Sequence, residues 1–264
     1  MRLPDSTLLQ DFWSALAAAP AAALLLDYDG TLAPFHRDPA RARPYPGVEP
    51  LLERLGRLAR DRLVIVSGRA LDTLCPLLRL HVRPELWGCH GRERRLPDGR
   101  RSFMPLPEAA RQALAEAEDW TARVTALGGR VERKPGSLAF HWRGLTSEDQ
   151  HALAQELEQR YARLAQAGTL DWHPFDGGIE LRAPGCDKGQ AVRQVLGELE
   201  EGACVAYLGD DHTDEDAFRA LAGRGLSVLV RPMWRATAAD LWLRPPEGLR
   251  AFLGRWADLR EQRR

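Results

Sequence analysis

An α/β fold, a doubly wound and mainly parallel sheet carrying an inserted α+β domain, is predicted by three observations on the 264-residue chain. Apolar runs that stop at small polar turns ("AALLLDYDG", "RLVIVSGR", "LWGCHG") alternate with helical patterns, the arrangement of a parallel sheet with helices on its faces. Near residue 105 that rhythm gives way to long amphipathic helices and alternating strands, a layer able to bury its own core. It resumes near residue 181 with "DKGQAVRQVLGEL", "ACVAYLGDD", "TDEDAFRALA" and "GLSVLVR". The core is therefore expected to comprise 1–104 and 181–264, and the insert 105–180.

Taken in order, "STLLQDFWSALAAA" sets Leu8, Leu9, Phe12, Trp13 and Leu16 on one helical face, with Asp5 or Ser6 as cap and Pro20 as stop. "AALLLDYDG" follows as a buried strand. "GVEPLLERLGRLARD" gives a helix with Leu51, Leu52, Leu55 and Leu58 inward, and "ALDTLCPLLRL" a further helix that Pro76 starts or kinks. In the insert, "EAARQALAEAEDWTARVTAL" and "SEDQHALAQELEQRYARLAQAG" read as long helices. Between them "GRVERKPGSLAFHWRG" is a hairpin turning at Pro135-Gly136, and "TLDWHPFDGGIELRAPG" adds a second strand pair. The terminal "REQRR" is expected to be a solvated helix end.

Apolar content of 44% with 28% charged residues is that of a soluble globular chain, and a formal net charge of zero gives no reason to expect nucleic acid or an acidic membrane as partner. Recognition of any anion must then be local. Four widely spaced cysteines without a Cys-x-x-Cys pair suit reduced thiols in a cytoplasmic protein and make zinc a poor candidate. The apolar "ALAAAPAAALLL" is broken by Pro20 and flanked by acids, so neither a signal peptide nor a membrane span is expected. Of 37 basic side chains all but Lys134 and Lys188 are arginine, which makes those two candidates for places where a compact ammonium is wanted, with chance retention as the alternative.

Four polar clusters end four of the apolar runs or open the helix beside them: Asp27 with Asp29, Ser67, Lys188, and Asp210, Asp211 and Asp214 in "GDDHTDED". In a parallel sheet these ends share one edge, where open α/β folds bind their ligands. Asp27, Asp29, Asp210 and Asp214 can supply oxygen to Mg²⁺, a hard cation that uses few protein carboxylates and keeps several waters. The ion and Lys188 would offset the clustered charge and leave a pocket for a phosphate, with Ser67, Thr31 and turn N–H groups completing its hydrogen bonds.

"DYDGTLAP", "VIVSGR", "GCDKGQAV" and "YLGDDHTDED" resemble, in order and spacing, the four motifs of the haloacid dehalogenase superfamily of phosphotransferases. "GCHGRE", "VERKPGSLAFHWR" and "GIELRAPGCDKG" look like the trehalose-6-phosphate phosphatase family, including its cap inserted after the third strand. The resemblance implies that Asp27 is the nucleophile, forming an aspartyl-phosphate, and that Asp29 is the acid and then the base, its backbone carbonyl on the metal. It implies that Ser67 and Lys188 hold the phosphoryl group and that Asp210 is the metal's third protein ligand, with Asp214 in or just outside its shell. Glu132, Lys134, His90, Glu180 and Arg143 would grip sugar hydroxyls, with Arg69, Gly91 and His141 counted in the same substrate set. His141 and Arg143 are expected to share one face of the second hairpin arm.

The function so implied is Mg²⁺-dependent hydrolysis of trehalose 6-phosphate to trehalose and phosphate, the last step of trehalose biosynthesis. No stretch remains for a synthase domain, so a stand-alone phosphatase is expected, monomeric or weakly oligomeric, with a small sugar phosphate as its partner. The rivals are the same chemistry on another sugar phosphate and a non-catalytic sugar-phosphate sensor.

Overall fold

The structure, a computed structural model, describes residues 6–36, 38–164, 168–175 and 177–263. Helix α1 (Ser6–Ala18) leads into β1 (Ala22–Asp27), followed by α2 (Val48–Gly56), β2 (Asp61–Val66), the short α3 (Leu71–Leu74), β3 (Glu85–Gly88), β4 (Glu93–Arg95) and β5 (Arg101–Phe103). The chain then builds α4 (Glu108–Ala117), α5 (Thr121–Ala126), β6 (Arg130–Lys134), β7 (Ser137–His141), α6 (Ser147–Leu164), β8 (Asp171–Phe175) and β9 (Gly178–Arg182). It closes with α7 (Lys188–Glu198), β10 (Cys204–Gly209), α8 (Glu215–Leu221), β11 (Leu226–Val230), β12 (Leu241–Leu243) and α9 (Glu247–Glu261). Two compact units result, Met1–Ser102 with Asp187–Arg264, and Phe103–Cys186. The second runs from Phe103 to Cys186 instead of the expected 105–180, because β9 continues to Arg182 within its sheet and the Ala183 N–H still donates to the Gly136 carbonyl.

The first unit is a sheet of order β12-β11-β10-β1-β2-β3-β4-β5, parallel from β12 to β3 and antiparallel between β3 and β4. Strand β1 lies between β10 and β2, and all six of its residues are buried. Leu24 and Leu26 join the core formed with α1, α2 and α9, whereas Ala23 and Leu25 join the opposite core under α7 and α8. This is why the run is apolar without alternation.

The second unit is an antiparallel sheet, β6-β7-β9-β8. Leu138, Phe140, Ile179 and Leu181 meet Ala113, Trp120, Val124, Leu153 and Leu157 in a core of its own. Cross-strand register puts Glu132, Ala139, Glu180 and His173 in one row and Lys134, Ser137, Arg182 and Asp171 in another, so the face opposite that core is polar.

Several local expectations fail for identifiable reasons. The helix expected over "EAARQALAEAEDWTARVTAL" breaks into α4 and α5 around a 3₁₀ turn at Glu118–Trp120, which brings Trp120 onto Phe140 with ring centroids 5.8 Å apart. "ALDTLCPLLRL" is helical only to Leu74 before a 3₁₀ turn at Cys75–Leu77, where Pro76 offers no N–H to continue an α-helix. Asp5, a candidate cap for α1, lies outside the described residues.

"REQRR" is not simply a solvated end. The side chain of Arg260 is 4% exposed and pairs with Asp61 at 2.7 Å. Its Nη1 also donates to the carbonyls of Leu16 and Ala19 at 3.0 and 2.8 Å, satisfying acceptors that the end of α1 leaves open. One guanidinium thus ties α1, β2 and α9 together. Arg260→Leu should destabilise the protein by about 3–5 kcal/mol in urea denaturation, because Asp61 and two carbonyls lose their donors. A loss below about 1 kcal/mol, the size typical of an exposed pair, would show that this tie carries no load.

Candidate active site

Parallel pairing in register brings the ends of β1, β2 and β10 to one edge. Asp27 closes β1, Ser67 follows β2, and Asp210 follows β10. Lys188 begins α7, whose N-cap Asp187 accepts from the Gln190 N–H. The Lys188 Nζ donates to Asp27 Oδ1 at 2.6 Å and to Asp214 Oδ1 at 2.8 Å, and all three side chains are at most 4% exposed. Oxygens of Asp27, Asp210 and Asp214 lie within 4.8 Å of one another.

These carboxylates are not equivalent. Asp214 Oδ1 accepts from Lys188 and from Tyr207 Oη, at 2.8 and 2.6 Å, while Oδ2 accepts from the N–H groups of Asp210 and Asp211, at 3.0 and 2.9 Å. That uses the four acceptor sites of a carboxylate. By contrast Asp27 Oδ2 and Asp210 Oδ1 are buried with no hydrogen-bond partner among the described residues, and so is Thr31 Oγ1. Gly30, at φ +89°, presses its backbone so closely on the Asp210 carboxylate that a Cβ there would collide with it. Two orphaned carboxylate oxygens in an all-oxygen set fit a hard divalent cation such as Mg²⁺.

The electrostatics agree. Burial raises the Asp27 carboxyl to about 7, with Lys188 opposing and Asp214 adding to the rise. Burial, then Asp27 and Asp214, raise Asp210 to about 10. Burial alone would lower Lys188, but Asp214 and Asp27 hold it above the ordinary lysine value. Two buried carboxyl groups that resist ionisation in the bare protein are what a bound cation would relieve.

Asp29 faces elsewhere. Its carboxylate is gripped by Arg69, Nε to Oδ2 at 2.7 Å and Nη2 to Oδ1 at 2.6 Å, so it does not join the cluster of Asp27, Asp210 and Asp214. Ser67 is fully buried, its Oγ accepting from the Arg69 N–H at 3.1 Å and its carbonyl from the His90 N–H at 3.0 Å. His90 is buried and packs its ring beside Gly68. Cys89 and His90 both have positive φ, 48° and 56°, and Gly91 continues at 106°, a strained turn of the kind found at functional sites.

In the second unit, Glu180 is 3% exposed. Its Oε1 meets Lys134 Nζ and Ser137 Oγ, each at 2.7 Å, and its Oε2 meets Arg182 at 2.7 Å. The Glu132 carboxylate is held below the usual range, chiefly by its hydrogen bond with His141 at 3.1 Å. Strand β7 ends at His141, so Arg143 does not share its strand face; it is exposed and sits against Gly177.

Sequence reading missed Tyr207, Ser137 and Arg182. Tyr207 carried a signal: a phenol inside the buried strand "CVAYLG" needs a polar partner. The exposed His36, His81, His151 and His212 stay outside the site, and Trp13 and Trp120 are core residues.

Comparison with known proteins agrees with this geometry. The family described as trehalose-phosphatase matches residues 25–240. A trehalose-phosphate phosphatase of Mycobacterium marinum is 34% identical over 252 residues, covering 90% of this chain and 62% of its own; the chain thus spans less than two thirds of that relative. Among solved structures, a trehalose-6-phosphate phosphatase related protein superposes with a TM-score of 0.73 at 26% identity, covering 92% of this chain and 100% of its own. A haloacid dehalogenase-like hydrolase from Bacteroides thetaiotaomicron shares the fold, with a TM-score of 0.65 at 16% identity over 89% of this chain and 99% of its own. The α/β core with its buried acidic edge and the family match over residues 25–240 lead to one assignment: this chain belongs to the trehalose-phosphatase family.

Proposed function

We propose that the protein is a Mg²⁺-dependent phosphatase that hydrolyses trehalose 6-phosphate to trehalose and phosphate through an aspartyl-phosphate on Asp27. The observation that supports it most is the pair of partnerless oxygens, Asp27 Oδ2 and Asp210 Oδ1, buried beside a lysine that already neutralises one negative charge. The M. marinum relative is described as a trehalose-phosphate phosphatase, which supports the substrate. The widely spaced thiol cysteines are in keeping with a cytoplasmic setting, and among the described residues no helix is long and apolar enough to cross a membrane.

In this reading Asp27, Asp210 and the backbone carbonyl of Asp29 hold the ion, and the saturated Asp214 fixes Lys188 instead of coordinating. When bound, Mg²⁺ supplies positive charge to the phosphoryl oxygens. Asp27 forms a bond to phosphorus as the sugar oxygen leaves with a proton from Asp29, which gives up an Arg69 contact to reach it. Asp29 then takes a proton from water, whose oxygen attacks phosphorus, frees Asp27 and releases phosphate. Lys188 and Ser67 hold the phosphoryl group throughout, with Thr31 donating from its open hydroxyl. Glu180, Lys134, Glu132, His141 and Arg143 in the second unit, and His90, Gly91 and Arg69 in the first, are assigned to the substrate. The Lys134–Glu180–Arg182 group, centred on the buried Glu180, offers fixed charges suited to hydroxyl recognition.

A phosphate-release assay with trehalose 6-phosphate, glucose 6-phosphate and sucrose 6-phosphate, with and without Mg²⁺, tests the proposal. Trehalose 6-phosphate should turn over fastest and only with the ion; equal rates on all three would remove the specificity and keep the chemistry. Asp27→Asn should lower kcat by at least about 10³-fold, and retention of turnover would point to a sugar-phosphate sensor. Wild-type protein at a hundredfold excess of Mg²⁺ over its Kd should gain about 2.7 kcal/mol of stability. Asp210→Asn should melt higher than wild type without Mg²⁺, since it relieves repulsion from Asp27, and should lose the response to the ion. A melting temperature raised by Mg²⁺ as much as in wild type would contradict Asp210 as a ligand.

A further inference from the structure

The segment after β11, "RPMWRATAAD", has a role that the cation site alone does not explain. Arg235 occupies a narrow place in it, with its side chain 14% exposed. Its Nη1 donates to Glu215 Oε1, while Nη2 donates to the carbonyl of Asp211 at 2.7 Å and approaches that of Asp210 at 3.4 Å. Arg231 Nη1 reaches the same Asp210 carbonyl at 3.2 Å. Glu215 is itself fixed, accepting from Thr237 Oγ1 and from the Ala238 N–H, each at 2.8 Å.

The consequence lies in the peptide between Asp210 and Asp211. Its carbonyl accepts from Arg231 and lies 3.4 Å from Arg235 Nη2, which holds the next carbonyl, that of Asp211, at 2.7 Å, while its N–H donates to Asp214 Oδ2 at 2.9 Å. A planar peptide held at both ends cannot rotate, and Asp210 carries the orphaned Oδ1 on the residue it begins with. The two guanidinium groups also place positive charge behind the acidic loop.

We propose that Arg235, locked in place by Glu215, is a positioning residue for the cation site: it immobilises the Asp210–Asp211 peptide and thereby aims the Asp210 carboxylate at the ion. This rests on the metal site of the proposed function and not on the identity of the sugar. Groups that orient metal ligands from behind commonly change affinity by about 10–100-fold when removed, and Arg235 meets that description by its contacts with two successive carbonyls, those of Asp210 and Asp211.

The test is Mg²⁺ binding itself, measured by titrating the full-length protein with MgCl₂ in a calorimeter, well below the melting temperature of each variant. Arg235→Met should weaken the Mg²⁺ Kd by about 10–100-fold, and Glu215→Gln should weaken it in the same direction. Arg235→Lys, which keeps the charge but cannot fork between Glu215 and the Asp211 carbonyl, should fall between Arg235→Met and wild type. If Arg235→Met does not fold, the lysine variant decides the matter. Leu221→Ala, a cavity in the core on the same helix as Glu215, should lower the melting temperature and leave the Kd unchanged. A folded Arg235→Met or Arg235→Lys whose Kd stays within about twofold of wild type would overturn the proposal. So would a Leu221→Ala protein that loses as much affinity as the arginine variants. Wild-type protein that binds Mg²⁺ but releases phosphate from no sugar phosphate would sink the assigned activity and leave this positioning role standing; wild-type protein that binds no Mg²⁺ would sink both.

Discussion

Lys188 between Asp27 and Asp214 is the contact on which the rest of the acidic edge depends. Three carboxylates packed within a few ångströms and shut off from water repel one another and lose their hydration, and either effect alone would drive protons on or the loop outward. One ammonium, donating to two of them, makes the arrangement tolerable. It leaves Asp27 and Asp210, the two groups with an oxygen to spare, as the carboxyl groups whose ionisation a cation would favour.

That contact also explains the architecture around it. Asp27 and Lys188 are 161 positions apart in sequence, and only a sheet in which β1 and β10 pair in parallel, with α7 lying across the neighbouring core, brings them within 2.6 Å. Because β1 is buried on both faces, its last residue is delivered to the edge with little freedom. The rigidity of an apolar strand is thereby passed to a carboxylate that needs a fixed direction. The second unit follows other rules: one face of its sheet makes its core and the other carries ion-paired polar residues held by antiparallel register.

Much of the first unit was legible in the sequence because its signals are local. Apolar runs, turns at their ends and helices between them are patterns within a dozen residues, and they located Asp27, Ser67, Lys188 and Asp210 at one edge. What stayed hidden depends on partners distant in the chain. Arg260 reads as part of a charged tail until Asp61 and the end of α1 are seen beside it. Arg235 looks like one arginine among many until its hydrogen bonds to Asp211 and Glu215 are traced. The break before α5 was invisible for a similar reason: helical periodicity runs through it, and the contact of Trp120 with Phe140 that accompanies the 3₁₀ turn involves a strand further along the chain.

The scarcity of lysine has a practical outcome. The chain holds two ε-amines, and both are sequestered, Lys188 at 4% and Lys134 at 10% side-chain exposure, each clasped by carboxylates. Reagents that acylate or reductively methylate lysine side chains would therefore find both ε-amines shielded at neutral pH, and the guanidinium groups of an arginine-rich exterior do not react with them. Any labelling that does occur at these two positions would report the rare moments when an ion pair opens, which makes amine chemistry a selective clock for exposure of the two interiors.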